Sequence, residues 1–546
     1  MIPKNMLRRD FLASCLAGIP VVALDWESFP KGKPNAGKGS GPAYDAVIIG
    51  AGLGGLSCGA AFVRQGFRPL VIEKHFKPGG YATTFSRPGG FVFDASLHST
   101  TVGERDGSFN LIPGFPEIKD IAFVPHKVLY RAIFPEHDIR VPSRDVPGYV
   151  RGLADLFPEE KAGIEGLIAD MQGLASDIGK YSASGGKIDP SRFAQDYPAL
   201  ARAFGKTWGG MVYARVTNPK LKAIVSALWG YYGLPPSRLS PYYYALPTIG
   251  YLQEGGYYPI GKSQKISDAF TSFIRKGGGE VMLGKRVERI LVKDGAAVGV
   301  RTDDGREFTA RAVVSNANAP DTFGRLLGEP DLAKATLARM EKLSISLAAF
   351  QVFLGLKKDL VGELGLEDTE IFYNAGYDIE ADYSACVRAD FSDPGFGLTL
   401  YDNLYKDYSP AGKNILSIMN LQGFGHWESY EADYFAGKKD DYRAEKERMA
   451  DILIDRVEKA LLPGLRKAIE IREVATPLTN IRYTANPRGA VYGWDQTLDN
   501  SGPTRFPQRT PIKNLYLAGA WTSPGHGYGA VVPSGLLCFA EIMKSW

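Results

Sequence analysis

A glycine-rich stretch, GAGLGGLSCGAA at residues 50–61, follows the apolar run AVII at residues 46–49. The β-branched run predicts a buried parallel strand, and the small residues after the first glycines predict a helix. A strand, a G-x-G-x-x-G turn and a helix in this order indicate a Rossmann-type α/β unit that binds a dinucleotide. Gly50 permits the tight turn, Gly52 lets the backbone approach a pyrophosphate, and Gly55 lets the helix pack closely on the strand.

The next apolar run ends in an acidic residue. Residues 69–72 predict a second strand, and Glu73 follows it directly. An acid about 20 residues beyond the first glycine suits the hydroxyls of a ribose and would repel a 2′-phosphate. The alternative is a strand–turn–helix that binds nothing. The complete order of strand, glycines, helix, second strand and acid favours the nucleotide site.

Composition excludes several other classes of protein. The 546 residues are enough for two or three domains, and a net charge of +4 does not indicate a nucleic-acid partner. The four cysteines are too widely spread for a disulfide framework, and Cys58, Cys386 and Cys538 are expected to be buried thiols. The sequence has no zinc-type spacing of Cys or His and no Walker loop. We therefore expect neither a nucleic-acid partner nor a metal site.

The first 24 residues have the features of an export signal. The sequence LRRDFL resembles the twin-arginine motif through Arg8 and Arg9, and the apolar run of residues 11–24 is too short to span a bilayer. Residues 25–43 are rich in Gly, Lys and Pro and predict a disordered linker. We expect the twin-arginine machinery to export the folded protein to the periplasm. A frayed N-terminus on a cytoplasmic protein is the alternative.

A second glycine pair follows the second strand. The segment KPGGYATT, residues 77–84, precedes the strand-like GFVFDASLH, residues 90–98. An NAD domain would normally continue here with another helix and strand. The region instead resembles the FAD-dependent oxidoreductases that comprise phytoene desaturases, carotenoid isomerases and retinol saturases. Members share the long glycine fingerprint, the Gly-Gly pair and, in the saturase-like branch, Phe-Asp-x-Gly-x-His; here Ser96 replaces the glycine and His98 stays in register.

Two further segments extend the resemblance. Residues 255–262, GGYYPIGK, are similar to the family's Tyr-Pro-x-Gly-Gly segment, with Lys262 in place of the second glycine. Residues 515–527, LYLAGAWTSPGHG, are similar to the strand and loop that close over the flavin, with Ala520 where the family often has Asp or Glu. Residues 532–542 predict the final helix, whose N-terminus would point toward the pyrimidine ring of the flavin.

The resemblance implies FAD as the cofactor and a set of residues that hold it. At position 520 the contacts must come from backbone N–H groups or from water, since alanine has no polar side chain. The expected contact residues are Gly50, Gly52, Gly54, Gly55, Glu73, Lys74, Gly79, Gly80, Thr84, Gly519, Ala520, Gly527 and Val531.

The resemblance also implies the architecture. We expect a Rossmann-type α/β FAD-binding domain assembled from discontinuous segments, and a second, mixed α+β substrate domain. The FAD-binding segments are residues 44–105, 250–330 and 475–546, and the substrate-domain segments are residues 106–249 and 331–474.

Aromatic residues are dense upstream of the GGYYPIGK segment, where Trp208 and Trp229 precede eight tyrosines. Such a cluster can line an apolar slot for a long substrate, or it can form a packing layer between the domains, and the sequence leaves both open. The tyrosines are Tyr231, Tyr232, Tyr242, Tyr243, Tyr244, Tyr251, Tyr257 and Tyr258.

Two of the six histidines, His98 and His526, fall inside the motifs expected near the flavin. Each is a candidate catalytic residue that shuttles a proton or stabilises the reduced flavin. Each could equally be a structural group or the point of covalent flavin attachment.

The expected function is that of an FAD-dependent enzyme that desaturates, saturates or isomerises double bonds of an apolar, polyene-like substrate. No second G-x-G-x-x-G follows a strand, so we expect oxygen or a quinone as electron partner rather than a bound NAD(P)H domain. Contact with a membrane is left open. A flavin amine oxidase is one alternative, and a non-catalytic, FAD-loaded carrier is another.

Overall fold

The structure is a computed structural model that describes residues 26–32, 43–101, 103–105, 108–111, 115, 118, 121–183, 191–392 and 394–546. The expected export signal at residues 1–24 lies outside these residues, and so does most of the expected linker, namely residues 25 and 33–42. None of the helices in the described ranges is long and apolar enough to cross a bilayer.

The strands are numbered in chain order. They are β1 (Tyr44–Ile49), β2 (Pro69–Ile72), β3 (Thr84–Arg87), β4 (Phe91–Asp94), β5 (Gly103–Arg105), β6 (Ser108–Leu111), β7 (Phe123–Pro125), β8 (Val128–Ile133), β9 (Asp138–Pro142), β10 (Tyr257–Pro259), β11 (Glu280–Met282), β12 (Val287–Lys293), β13 (Ala296–Thr302), β14 (Glu307–Ser315), β15 (Ala348–Leu356), β16 (Glu370–Tyr373), β17 (Phe396–Thr399), β18 (Asn414–Gln422), β19 (Ile469–Ala475) and β20 (Leu515–Leu517).

The helices are numbered in the same way. They are α1 (Leu53–Arg64), α2 (Val146–Leu156), α3 (Lys161–Ala183), α4 (Phe193–Asp196), α5 (Pro198–Ala203), α6 (Trp208–Tyr213), α7 (Pro219–Ile224), α8 (Trp229–Tyr232), α9 (Pro241–Glu254), α10 (Lys262–Lys276), α11 (Ala319–Asp321), α12 (Pro330–Met340), α13 (Leu360–Glu363), α14 (Ile379–Arg388), α15 (Glu428–Phe435), α16 (Asp440–Ala460), α17 (Leu465–Ala468), α18 (Pro477–Thr484) and α19 (Tyr528–Met543).

The first of two large sheets has the strand order β11–β2–β1–β14–β13–β12. Strands β11, β2, β1 and β14 are parallel, and β20 lies parallel to the C-terminal half of β14. Strand β1 is apolar on both faces because both faces are covered. Ala46 and Ile48 enter one core, whereas Val47 and Ile49 enter another. Helices α1, α10 and α19 form the first of these cores together, and there the rings of Phe62 and Phe539 meet with centroids 5.1 Å apart.

The second large sheet has the strand order β19–β15–β18–β17–β16–β8–β9. Strands β16 and β8 are parallel and the other neighbours are antiparallel. Every residue of β15 is buried. Phe350 and Val352 on one face share a core with helix α16, while Ala349, Gln351 and Phe353 on the other face line a cavity. The alternation of a strand thus gives this sheet a core face and a site face.

These two sheets with their helices confirm the expected fold class, a Rossmann-type α/β unit joined to a mixed α+β unit. The first sheet takes strands from each of the three segments predicted for the FAD-binding domain. The second sheet takes its strands from residues 128–142 and 348–475. The exact domain boundaries stay a prediction.

The predicted and observed bounds can be compared for two elements. The second strand has the predicted bounds, Pro69–Ile72. The final helix, predicted for residues 532–542, begins instead at Tyr528 and continues through Pro533. Close packing on α1 holds this helix despite the proline, since a Cβ on Gly535 would lie 2.3 Å from the carbonyl oxygen of Gly54. Tertiary packing here overrides the local preference of proline.

Candidate active site

A large cavity of about 1930 Å³ connects the two units of the fold. Its walls include the C-terminal ends of β1 and β2, the beginnings of α1 and α19, and the site face of β15. Of the residues that the sequence predicts for the cofactor and for catalysis, all but Gly55 line this cavity. They are Gly50, Gly52, Gly54, Glu73, Lys74, Gly79, Gly80, Thr84, His98, Gly519, Ala520, His526, Gly527 and Val531.

The turn between β1 and α1 depends on glycine at two positions. Gly50 has a φ of +97°, a conformation that L side chains rarely adopt. Gly55 does not line the cavity but lies against the turn, where a Cβ would come within 2.2 Å of the carbonyl oxygen of Gly50. Gly55 therefore serves the close packing of helix on strand.

The floor of the cavity leaves no room for side chains beside this turn. A Cβ on Gly54 would lie 2.7 Å from the backbone N and Cα of Gly519 and 2.6 Å from Oδ1 of Asn316. A Cβ on Gly52 would meet chiefly the amide nitrogen of Asn316, at 2.8 Å. Bare backbone at the beginning of a helix is what a pyrophosphate requires, because the free N–H groups face the anion.

The second glycine pair packs against the first turn. Gly79 donates its N–H to the carbonyl oxygen of Ala51 at 2.7 Å and has a φ of +124°. Gly80 also has a positive φ, and a Cβ on it would lie 3.4 Å from the Cα of Gly52. The two glycine segments thus form one continuous surface of backbone.

Glu73 already holds this turn in shape. Its Oε2 accepts the N–H of Ala51 and its Oε1 accepts the N–H of His75, both at 2.8 Å. A carboxylate has about four acceptor positions, so two remain for the hydroxyls of a ribose. Lys74 lies beside it, and burial lowers the pKa of its ammonium. Thr84 borders the same end of the cavity and accepts a hydrogen bond from Lys77 through its carbonyl oxygen.

Helix α19 begins at the other end of this surface. Gly527, with a φ of +86°, precedes it and provides no side-chain cap, and the first residues of the helix line the cavity, so its positive N-terminal end borders this space. Ala520 is in contact with the buried Arg505, whose Nη2 donates to the Ala520 carbonyl oxygen at 2.9 Å. Burial lowers the pKa of Arg505 to about 10, so the guanidinium stays charged at neutral pH. A helix N-terminus and a cation together favour negative charge in this part of the cavity.

His526 is enclosed by aromatic rings. Its Nε2 lies 3.3 Å from the carbonyl oxygen of Tyr231, and its ring stacks on that of Tyr492 with centroids 4.2 Å apart. Burial, followed by the nearby charge of Arg505, lowers the pKa of His526 to about 3. His526 is therefore neutral at neutral pH, and Nε2 carries the proton that it donates to the carbonyl oxygen.

His98 has a different environment. Its Nδ1 lies 2.7 Å from Oγ1 of Thr399 and 3.2 Å from Oε2 of Glu370, a buried carboxylate. Its ring lies 5.6 Å from the ring of Tyr231. The structure thus brings both predicted histidines to one tyrosine, His98 to its ring and His526 to its backbone carbonyl oxygen, although their sequence positions are far apart.

The tyrosine cluster divides between the two interpretations that the sequence left open. Tyr244 is a packing residue, because it is buried and stacks on Trp208 with centroids 4.1 Å apart. Tyr257 and Tyr258 are also fully buried away from the cavity. The remaining five line the cavity, and they are Tyr231, Tyr232, Tyr242, Tyr243 and Tyr251.

Comparison with known proteins identifies the family of this chain. A family model described as flavin containing amine oxidoreductase matches residues 53–538. The chain belongs to this family. Membership confirms the expected FAD cofactor, the expected flavin-dependent oxidoreductase class, and the resemblance stated from the motifs.

Individual relatives place the chain within this flavoprotein family. It is 28% identical to prolycopene isomerase 1 of an Oncidium hybrid cultivar, covering 98% of this chain and 92% of the relative. It is also 28% identical to the neurosporene-forming phytoene desaturase of Rhodobacter capsulatus, covering 90% of this chain and 92% of the relative. A solved structure of putrescine oxidase bound to putrescine superposes with a TM-score of 0.61 at 16% identity, covering 92% and 99% of the two chains. That last similarity shows the fold alone.

Three residues in or beside the cavity escaped the sequence analysis. Asn316 directly follows β14, and its position at the carboxyl end of a central parallel strand is a signal that could have identified it. Arg505 and Glu370 carry no such signal, because each reaches the cavity region from a segment without a motif.

Proposed function

We propose that the protein is an FAD-dependent enzyme that desaturates, saturates or isomerises double bonds of a long, apolar, polyene-like substrate. The observation that carries the proposal is the cavity itself, whose aromatic and aliphatic wall is continuous with the backbone floor for FAD. The named activities of the isomerase and desaturase relatives support the same class of substrate.

The acidic residues of the cavity favour a polyene over an amine. A cationic amine would need an unpaired carboxylate or a comparable partner in its site. Among the described residues, four acidic side chains line the cavity; Glu73 stands at the ribose position and the other three are in ion pairs. The pairs are Arg87–Glu473, Arg325–Asp321 and Arg509–Glu541, at 2.5, 2.8 and 3.3 Å.

The chain's own residues have distinct tasks in this proposal. FAD supplies the exchange of a hydride or of electrons when it is bound. The two glycine segments hold its pyrophosphate, Glu73 holds its ribose, and the beginning of α19 faces its charged form. The tyrosines give the substrate a dry, apolar wall, and His98 presents a ring nitrogen to the cavity. The electrons of a net oxidation would pass to oxygen or a quinone.

Anaerobic mixing distinguishes the proposed substrate class from the alternatives. We expect a conjugated isoprenoid to bleach or shift the flavin spectrum, or to be rearranged once the flavin is reduced, because the apolar wall accepts a long hydrocarbon. Simple aliphatic and aromatic amines are expected to leave the spectrum unchanged. Rapid flavin reduction by an amine, with no response to any polyene, would identify an amine oxidase. A flavin that no substrate or reductant alters would identify a carrier.

We also propose that the protein is exported by the twin-arginine route, which rests on Arg8 and Arg9. Replacing both with lysine should retain the protein in the cytoplasm with FAD still bound, because the pair is read by a receptor. Cell fractionation with flavin quantitation measures both properties. The proposal fails if the double-lysine variant reaches the periplasm as efficiently as the unmodified chain.

A further inference from the structure

We propose that Glu370 is a positioning residue that fixes the tautomer of His98, so that His98 presents Nε2 to the substrate as a proton acceptor. The proton-transfer part rests on the proposed function, whereas the tautomer is a property of the protein alone. The inference starts from a buried carboxylate that the flavin site itself does not explain.

The second sheet delivers Glu370 and Thr399 to the same ring nitrogen. Glu370 begins β16 and Thr399 ends β17, and the two residues are directly paired in the antiparallel register. Their side chains converge on Nδ1 of His98, at 3.2 Å from Oε2 of Glu370 and 2.7 Å from Oγ1 of Thr399. The pairing of the two strands therefore holds the His98 ring through its Nδ1 atom.

The direction of the hydrogen bonds follows from the number of protons available. Thr399 has a single hydroxyl hydrogen, and its Oγ1 lies 3.2 Å from Oε2 of Glu370. A carboxylate is the stronger acceptor, so the Thr399 hydroxyl donates to Glu370. The Thr399 oxygen then accepts from His98, which requires a hydrogen on Nδ1. In the neutral ring Nε2 is left as the acceptor.

The burial of Glu370 bears on why an acid, rather than a neutral residue, stands at this position. Glu370 is 2% exposed, and within the described part of the chain His98 is the one side chain within ion-pair distance that could become a cation. Its Oε1 accepts no hydrogen bond from any described residue. A buried carboxylate is costly unless a charge compensates it, and the imidazolium that forms when Nε2 of His98 takes a proton would be that compensating charge. A glutamine would satisfy the Thr399 hydroxyl equally well, so the hydrogen bonds alone do not account for an acid.

None of the neighbouring titratable groups replaces His98 as the side chain that could compensate the charge of Glu370. Tyr231 donates to Oε2 of Glu370 at 3.4 Å, and burial raises the pKa of its phenol. His126, which also faces His98, is buried, and burial lowers its pKa to about 4. The other titratable groups near the pair are Tyr251 and Tyr401, both with pKa values raised by burial.

The reaction assigned to His98 is limited to one proton. Saturating or desaturating a carbon–carbon bond moves one proton and one hydride. The proton passes between the substrate carbon and Nε2 of His98, and the hydride is the part exchanged with the flavin. The carboxylate of Glu370 stabilises the imidazolium that forms when Nε2 takes the proton, and it does not itself gain a proton.

Nitrogen NMR of the resting holoenzyme, labelled with ¹⁵N in histidine, tests the tautomer without any substrate. A His98→Gln sample identifies the His98 signals. We expect the Nδ1–H tautomer in the unmodified protein and a mixture of tautomers in Glu370→Ala. Observation of the Nε2–H form in the unmodified protein, or an unchanged tautomer in Glu370→Ala, would overturn the proposal.

Kinetics with a polyene test the consequence for the reaction. Glu370→Ala should lower kcat roughly 10- to 100-fold with FAD retained and KM little changed, as for loss of a supported proton acceptor. Glu370→Gln keeps the shape but not the charge, so it should move the acidic limb of the pH–rate profile to lower pH, because the neighbouring negative charge that favours a protonated ring is gone. Asp402→Asn removes a buried carboxyl that lies just after β17 in a short 3-10 helix and does not line the cavity, and its profile should stay in place.

A profile that stays in place in Glu370→Gln, or one that moves equally in Asp402→Asn, would overturn the role of charge. If no polyene is turned over, the proposed function fails, and the NMR spectra still decide whether Glu370 sets the tautomer.

Discussion

Gly54→Ala is expected to give a protein that folds but is purified without FAD. The new Cβ would lie 2.7 Å from backbone atoms of Gly519 and 2.6 Å from Oδ1 of Asn316. Backbone cannot swing aside as a side-chain end can, so α1 must move away from the strand–loop that carries Gly519. Overpacking of this kind costs about 1–3 kcal/mol, which is roughly a 10- to 100-fold loss of affinity where the cost falls on binding.

Flavin absorbance per mole of protein measures the loss of FAD, and circular dichroism measures whether the variant is folded. Gly152→Ala is the matched control, because Gly152 is an exposed glycine inside helix α2 with no atom within 4 Å of its added Cβ. Gly52→Ala should lie between the two, since its Cβ meets chiefly the amide end of Asn316. A yellow Gly54→Ala protein with unchanged affinity for FAD would show that the floor is not the pyrophosphate site.

This first prediction also shows what the sequence could and could not provide. The motif alone directs attention to Gly52, where the backbone approaches the pyrophosphate in proteins of this kind. In the structure, alanine at Gly54 rather than at Gly52 is expected to cause the larger loss of FAD, because β14 and β20 place Asn316 and Gly519 directly against Gly54. Spacing along one segment predicts the turn, but it cannot predict which distant residue lies across from the turn.

The same limit explains the rest of the site. Residues that share a local motif, such as Glu73 with the glycine turn, were identified because local spacing fixes their positions. Glu370 reaches His98 across 272 residues, through the register of two antiparallel strands that no motif announces. Arg505 is held beside Ala520 by hydrogen bonds that its guanidinium donates to backbone carbonyl oxygens, among them those of Trp494 and Asp495, in an irregular segment. Side chains brought together by strand register or by loops leave no periodic signal in the sequence.

The two histidines are expected to differ sharply when each is replaced by alanine. His98→Ala should lower kcat on a polyene about 10²-fold with FAD retained, because the substitution removes the ring nitrogen that faces the substrate. His526→Ala should cause a smaller loss, because a pKa of about 3 prevents the neutral His526 ring from taking up a second proton at neutral pH. The loss in His526→Ala should come from altered contacts of Tyr231 and Tyr492 with the cavity rather than from proton transfer.

The pH dependence separates these two causes. A depressed pKa means that His526 gains a second proton, and so a positive charge, only as the pH falls through about 3; between pH 5 and 8 its charge does not change. The pH–rate profile of His526→Ala should therefore keep its shape, whereas that of His98→Ala should change shape because the proposed proton acceptor is gone. His426→Ala is the control, since His426 pairs with Glu445 and does not line the cavity.

The flavin released by denaturation is measured in each variant to test for covalent attachment. If the flavin is attached to one of the two histidine rings, it stays with the denatured unmodified protein and is released from the variant that lacks that ring. Equal losses in both variants with both profiles unchanged would assign the proton to neither histidine.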